Sequence, residues 1–214
     1  MISGPEILPK TSKPASIVIL LHGYGADGQG FISLAQALSQ FMPNTYFIAP
    51  NAIFPFENAS TGYQWFGLRD YSEASMFAGL NAATPHLNQF VDHQLQRFDL
   101  PASKLALVGF SQGAMLALHI ALRRPAKIAG VVGISGMLVS PQSLIGELKS
   151  KPPISLIHGT EDDVIPIAAL DGATIALKST GLEVESLIEP GVGHFVGEKG
   201  FAFATKALKR YLDA

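Results

Sequence analysis

Cysteine is absent from the 214-residue sequence, and this absence removes several kinds of site at once. A chain without thiols forms no disulfide, holds no thiolate zinc site or iron–sulfur cluster, and has no cysteine nucleophile. Charge is also scarce, since 15% of the residues are charged and 15 Lys and Arg nearly balance 17 Asp and Glu. With a net charge of −2 and no basic run, we expect no nucleic-acid partner. So few charges leave room for an apolar binding cleft or a homodimer interface.

Long hydrophobic runs are missing as well. No apolar run is longer than residues 17–21, far short of the roughly 20 residues that a membrane-spanning helix needs. The first 13 residues contain Pro5 and Pro9 but no apolar segment of the kind found in secretory signals. We therefore expect a cytoplasmic protein without a membrane span, although a mature chain whose signal had been removed would look the same.

Short β-branched runs alternate with amphipathic stretches along the chain. The predicted strands cover residues 16–22, 45–49, 104–110, 128–134, 154–158 and 183–188, and the predicted helices cover 31–41, 84–98, 112–123, 168–179 and 200–212. Most of these strands are continuously apolar, which is typical of a parallel sheet buried on both faces. The pattern predicts an α/β fold with a mostly parallel central sheet and helices on both faces. No repeat or linker interrupts it, so we expect residues 1–214 to form one domain without a separate cap.

Open α/β sheets bind ligands at the carboxyl ends of their strands. In this sequence a serine, a run of acids and a histidine follow three different predicted strands: Ser111, residues 161–163 and His194. A hydroxyl nucleophile, an orienting carboxylate and a general base are the groups needed for nucleophilic catalysis. No histidines stand at the spacing of a metal site.

Ser111 lies in a G-x-S-x-G motif between a predicted strand and a predicted helix. In such a sharp turn the serine hydroxyl is exposed, and the flanking glycines let neighbouring backbone approach closely. The helix that follows directs its N-terminal amides at the reacting centre. Ser135 also follows an apolar strand but lacks the second glycine spacing, so we interpret it as part of the wall.

Four motifs carry a resemblance to a known family: LLHGYGADG, GFSQGA, HGTEDDVIP and GVGH. In order and spacing they resemble the phospholipase/carboxylesterase family of small α/β-hydrolases, which includes the acyl-protein thioesterases. The resemblance extends over residues 17–212 and implies the α/β-hydrolase fold. It further implies Ser111 as nucleophile, Asp162 as the acid and His194 as the base, with no metal and no cofactor.

The resemblance also assigns binding groups around this triad. The backbone N–H groups of Tyr24 and Gln112 would form the oxyanion hole. Residues 64–68 resemble a Trp-Phe element beside the active site in this family, so Trp65, Phe66 and Leu68 are candidate substrate-binding residues. Anchoring of the loop is an equally good interpretation of these three side chains.

We therefore expect a carboxylesterase that cleaves small-molecule esters of short to medium acyl length through an acyl-enzyme. A lysophospholipase or acyl-protein thioesterase would use the same triad, and the sequence does not distinguish an acyltransferase from a hydrolase. A non-catalytic binding protein of the same fold is disfavoured, because such proteins usually lose a triad member.

Overall fold

Nine strands and six α-helices occur within residues 2–214, the part of the chain that the computed structural model describes. The strands are β1 (Glu6–Ile7), β2 (Ser16–Leu21), β3 (Thr45–Ile48), β4 (Phe54–Pro55), β5 (Tyr63–Gln64), β6 (Leu105–Phe110), β7 (Gly130–Ile134), β8 (Ile154–Gly159) and β9 (Val184–Glu189). The helices are α1 (Gly28–Ser39), α2 (Glu73–Phe98), α3 (Gln112–Arg123), α4 (Leu144–Glu147), α5 (Ala168–Ser179) and α6 (Glu198–Leu212).

Seven of the strands form one sheet in the order β1-β3-β2-β6-β7-β8-β9. Only the short β1 is antiparallel to its neighbour in that sheet, which confirms the predicted mostly parallel arrangement. From β2 the chain passes to β3 on one side and later to β6 on the other. The strand order therefore reverses between β2 and β6, and a ligand crevice is expected where these two strands end.

Two apolar layers cover the two faces of the sheet, because successive side chains of a strand point to opposite sides. In β2, Ile17, Ile19 and Leu21 face the layer formed with α2, α3 and α5. Val18 and Leu20 face the layer formed with α1 and α6. Helices on both faces were predicted from the sequence, and the structure confirms them.

Helix α2 begins well before the predicted start at Thr84. It starts at Glu73, where the Ser72 hydroxyl accepts a hydrogen bond from Ser75 N–H at 3.3 Å. Thr84 lies inside the helix and donates its hydroxyl to the Leu80 carbonyl one turn earlier, at 2.8 Å. A threonine followed by a proline is a local signal for a helix start, but here the apolar face of α2 extends further towards the N-terminus. The helix therefore continues through this point and holds Pro85 in its interior.

Residues 50–75, for which the sequence predicts neither a strand nor a helix, contain a small hairpin in which β4 pairs with β5. This hairpin stands outside the main sheet, beside the crevice between β2 and β6. No helix in residues 2–214 combines the length and apolar character that crossing a membrane requires.

Candidate active site

The turn between β6 and α3 is strained at Ser111. Its φ of 53° and ψ of −118° are uncommon for any residue with a side chain, and such strain is concentrated at functional sites. Both flanking glycines are required by close backbone contacts. A Cβ on Gly109 would lie 2.4 Å from the Gly113 carbonyl oxygen, and a Cβ on Gly113 would lie 2.0 Å from that of Leu21. The crowded turn holds the serine at the N-terminus of α3.

His194 and Asp162 are joined directly. The His194 Nδ1 lies 2.8 Å from one carboxylate oxygen of Asp162 and 3.0 Å from the other. Because an ionised carboxylate only accepts hydrogen bonds, Nδ1 carries the proton and Nε2 keeps its lone pair. The imidazole also packs on Phe110, the residue before Ser111, with ring centroids 4.8 Å apart. The ring is therefore fixed in orientation and protonated on the nitrogen that a base does not use.

Two backbone hydrogen bonds further fix the Asp162 carboxylate. Its Oδ1 accepts from Val164 N–H at 3.0 Å and from Ile165 N–H at 2.9 Å. His158 Nε2 lies 3.3 Å from Oδ2 but donates to the Ile165 carbonyl at 2.8 Å. Burial raises the pKa of this carboxyl, but the hydrogen bonds from Ile165, His194 and Val164 more than offset it and lower the pKa. A charged, immobile carboxylate therefore faces the imidazole.

The other two acids of this segment stand elsewhere. Glu161 and Asp163 are exposed, and neither accepts a hydrogen bond from His194. In the turn before Pro166, the backbone N–H groups of Val164 and Ile165 bind Asp162. Of the three acids, the geometry brings Asp162 alone to the histidine.

Tyr24 and Gln112 follow the ends of β2 and β6. Within residues 2–214 the backbone N–H of neither residue donates a hydrogen bond, so both are free for a ligand oxygen. The Tyr24 loop is held by β5, since Gly25 N–H donates to the Tyr63 carbonyl at 2.9 Å and Tyr63 N–H donates to the Ala26 carbonyl at 2.8 Å. The hairpin thus fixes one of the two expected oxyanion donors.

Glu57, on the loop between β4 and β5, binds the Tyr24 side chain, a contact that the sequence did not predict. Its carboxylate accepts hydrogen bonds from the Tyr24 hydroxyl, from Leu68 N–H at 2.9 Å and from Arg69 Nε at 2.7 Å. Burial, followed by the bond to Glu57, raises the pKa of Tyr24 to about 12. The hydrogen bond from Tyr24 is the main reason that the pKa of Glu57 is lowered. No local pattern around Glu57 indicates this role.

Trp65 and Phe66 are buried, with 0% and 2% of their surface exposed. The Gln112 side chain binds their backbone, accepting from Trp65 N–H at 2.9 Å and donating to the Phe66 carbonyl at 2.7 Å. Trp65 Nε1 donates to the His22 carbonyl at 3.0 Å. These contacts favour the anchoring interpretation of Trp65 and Phe66, and direct substrate contact by these residues stays a prediction. Leu68 is half-buried and keeps some exposed surface.

Ser135, the second serine at a strand end, is fully buried. Like Ser111 it has a positive φ, of 48°, but its hydroxyl faces no solvent. Its predicted position in the wall agrees with this burial. In the described residues 2–214, no group of three or more His, Asp and Glu side chains is arranged to hold a metal ion.

A mostly parallel sheet with a strained serine after β6, an acid after β8 and a histidine after β9 defines an α/β-hydrolase. The family model described as phospholipase/carboxylesterase matches residues 3–212. The chain belongs to this family, as the sequence motifs implied, and is a hydrolase of the ester-cleaving class.

Two relatives match this chain over most of their length. The chain is 28% identical to the esterase YpfH of Escherichia coli, covering 97% of this chain and 90% of the relative. It is 30% identical to acyl-protein thioesterase 1 of Schizosaccharomyces pombe, covering 86% and 85%. The crystal structure of esterase PE8 superposes with a TM-score of 0.95 at 37% identity, covering 99% of each chain.

Proposed function

We propose that this chain is a serine carboxylesterase that cleaves esters of short to medium acyl length. Ser111 attacks the ester carbonyl while His194 Nε2 accepts its proton and then donates it to the leaving alcohol. Asp162 fixes the imidazole tautomer and stabilises its charged form, and the N–H groups of Tyr24 and Gln112 bind the oxyanion. Water then releases the acyl group by the same steps in reverse.

The observation that carries the proposal is the Asp162–His194 hydrogen bond at 2.8 Å beside the strained Ser111 turn. An imidazole whose Nδ1 is bound to a buried carboxylate has its Nε2 free to act as the base. The free backbone N–H groups of Tyr24 and Gln112 would serve as the oxyanion donors, and one such donor typically lowers the barrier by about 3–4 kcal/mol.

The interior between α3, β7 and β8, lined in part by Ala114, Gly136 and Met137, holds only about 10 Å³ of open space, roughly the room of one water molecule. This part of the core therefore offers no channel for a long acyl chain, which supports the preference for short acyl groups.

The test is covalent labelling with an alkyl phosphonate, together with hydrolysis of nitrophenyl esters from acetate to palmitate. Label should appear on Ser111, and Ser111→Ala should lose nearly all activity while keeping its melting temperature. Ser135→Ala is the matched control, because Ser135 also follows a parallel strand with a positive φ. An active Ser111→Ala variant, or label on Ser135, would refute the assignment.

Thioester cleavage is the second candidate, favoured by the 30% identity to acyl-protein thioesterase 1 of Schizosaccharomyces pombe. A palmitoyl thioester peptide and a lysophospholipid are therefore compared with butyrate esters in the same assay. A kcat/KM for the thioester above that for every oxygen ester would replace the carboxylesterase proposal with this one.

A further inference from the structure

An open cleft of about 480 Å³ lies beside His194, on the side of α1. Its apolar wall is formed by Phe31, Phe110, Phe195 and Val196. Phe31 and Phe110 contact each other with ring centroids 6.3 Å apart, and Phe195 is 56% exposed. The volume falls in the range of small-molecule sites.

The cleft meets the triad at the imidazole. His194 forms part of its wall, together with Phe110 and Gly23, which precede Ser111 and Tyr24 in the chain. His194 Nδ1 is occupied by Asp162, so the proton that leaves the ring during ester cleavage leaves from Nε2. That proton goes to the oxygen of the departing alcohol. The alcohol part of a bound ester must therefore start at His194, where this cleft opens.

The acyl part extends away from the imidazole, because the carbonyl carbon lies between the two halves of the ester. The interior near Gly136 and Met137 has only about 10 Å³ and seats neither half of the ester. The cleft at His194 is thus the apolar space that the alcohol side reaches.

We propose that the cleft seats the alcohol moiety of the substrate, and that this moiety is a neutral, bulky, apolar alcohol of the alkyl or arylmethyl class. This inference rests on the proposed function and specifies its substrate. Asp27, at the rim, has its carboxylate bound to Gly30 N–H at 2.7 Å and disfavours an anionic alcohol. The phosphate-bearing alcohol of a lysophospholipid therefore fits this cleft poorly.

Acylation of Ser111 can run in reverse, with an alcohol in the same cleft accepting the acyl group. In acylation the Ser111 oxygen bonds to the carbonyl carbon, the bond to the alcohol oxygen breaks, and the serine proton reaches that oxygen through His194. In the reverse step an alcohol in the cleft gives its proton to His194 while its oxygen bonds to the acyl carbon. The bond from that carbon to the Ser111 oxygen then breaks, and His194 returns the proton to Ser111, which yields a new ester and the free enzyme. A bulky apolar alcohol should therefore compete with water for the acyl-enzyme better than ethanol does.

The experiment keeps the acyl group constant and varies the alcohol, with ethyl, benzyl and naphthylmethyl acetates. We expect kcat/KM to rise about tenfold or more from the ethyl to the naphthylmethyl ester, since each apolar group that fits a pocket has an effect of this order. Phe195→Ala and Phe31→Ala should remove most of that rise. Phe41→Ala is the matched control, since Phe41 is 53% exposed but lies outside the cleft, and it should leave the rise unchanged.

Two further measurements test whether the cleft binds the alcohol part of the ester or the acyl part. The rate at which water releases the acetyl-enzyme should be the same in Phe31→Ala as in the wild type, because the alcohol has already left. Added benzyl alcohol should divert more acetyl-enzyme to ester than ethanol does, and Phe31→Ala should abolish that advantage. A rise in kcat/KM that both cleft variants retain, or a deacylation rate that falls in Phe31→Ala, would overturn the assignment to the alcohol. Failure of acetate esters to form any acetyl adduct on Ser111 would instead refute the proposed function.

Discussion

Replacement of Asp162 by asparagine tests the triad more sharply than removal of the side chain. Oδ1 of Asp162 accepts two backbone hydrogen bonds, from Val164 at 3.0 Å and Ile165 at 2.9 Å, while Oδ2 lies 2.8 Å from His194 Nδ1. In an asparagine only the oxygen can accept. The two backbone N–H groups therefore hold the amide oxygen at the Oδ1 position, and the NH₂ group falls at Oδ2, against the imidazole.

That orientation reverses the tautomer of His194. The NH₂ group donates to Nδ1, the ring proton moves to Nε2, and the ring no longer accepts the serine proton. Turning the amide over would restore the base but would leave the Val164 and Ile165 N–H groups facing NH₂, at about 1–3 kcal/mol for each. A total of roughly 2–6 kcal/mol, at about 1.4 kcal/mol per factor of ten, gives a loss of kcat/KM between about 30-fold and about 10⁴-fold. In a serine protease the corresponding exchange costs about 10⁴-fold.

The control is Asp163→Asn, an exchange of the same type one residue away on an exposed side chain. It should change kcat/KM on a nitrophenyl acetate less than about twofold, in line with an ordinary surface substitution. Melting temperatures of both variants show whether each is folded. If Asp163→Asn were the inactive variant, or if Asp162→Asn kept full activity while folded, the hydrogen-bond reasoning would be wrong.

Comparison of Asp162→Asn with the wild type also gives a prediction for stability in acid. In the fold the pKa of Asp162 is lowered, because its hydrogen bonds outweigh the effect of burial. A lowered pKa in the folded state contributes stability above the unfolded value, near 3.9, and this contribution is lost as the pH falls through the folded value. The difference in unfolding free energy between wild type and Asp162→Asn should therefore be constant near neutral pH and shrink below about pH 4, as measured by urea titration.

Three further predictions concern the surroundings of the triad. Gly113→Ala should lose about 3 kcal/mol or more in urea unfolding, because its Cβ would lie 2.0 Å from a backbone oxygen, whereas Gly172→Ala, with nothing within 4 Å, should gain about 0.5–1 kcal/mol. Gln112→Ala should lower the melting temperature, since the two backbone groups that it binds would each cost about 1–3 kcal/mol unpaired; an unchanged melting temperature would contradict this. Burial and the bond to Glu57 raise the pKa of Tyr24 to about 12, so the unfolded state gains by ionising above about pH 10. Tyr24→Phe should therefore lose less stability between pH 9 and pH 11 than the wild type, and equal losses would refute this account.

The sequence predicted the sheet and the order of the chemical groups because both depend on local signals. A continuously apolar strand followed by glycine, serine and a helix determines the Ser111 turn within a dozen residues. Selecting Asp162 over its neighbours needed the family resemblance, since spacing alone left residues 161–163 open. The predicted start of α2 at Thr84 was wrong. A threonine before a proline is a strong local signal for a helix start, whereas the apolar face that extends the helix past Thr84 depends on tertiary packing.

The parts that the sequence did not predict are contacts between distant segments. Glu57 and Tyr24 are 33 residues apart, and only the folded hairpin brings them together. Burial of Trp65 and Phe66 depends on the Gln112 side chain, 46 or 47 residues further along. The cleft at His194 combines aromatic residues of α1, β6 and the last loop, so no single stretch carries its pattern. One signal was present: Phe195 and Val196 follow the histidine in an exposed loop.

The strained turn at Ser111 destabilises the folded state, and packing elsewhere in the molecule must offset this. With φ at 53° and ψ at −118°, the backbone there favours glycine, and a side chain in such a region costs about 1–3 kcal/mol. Natural domains are stable by only about 5–15 kcal/mol in total, so this is a sizeable fraction. Selection for stability alone would replace the serine by glycine. Its presence at this position means that folding and activity favour different residues at the same site, and that the two apolar layers of the fold must supply the stability that the turn gives up.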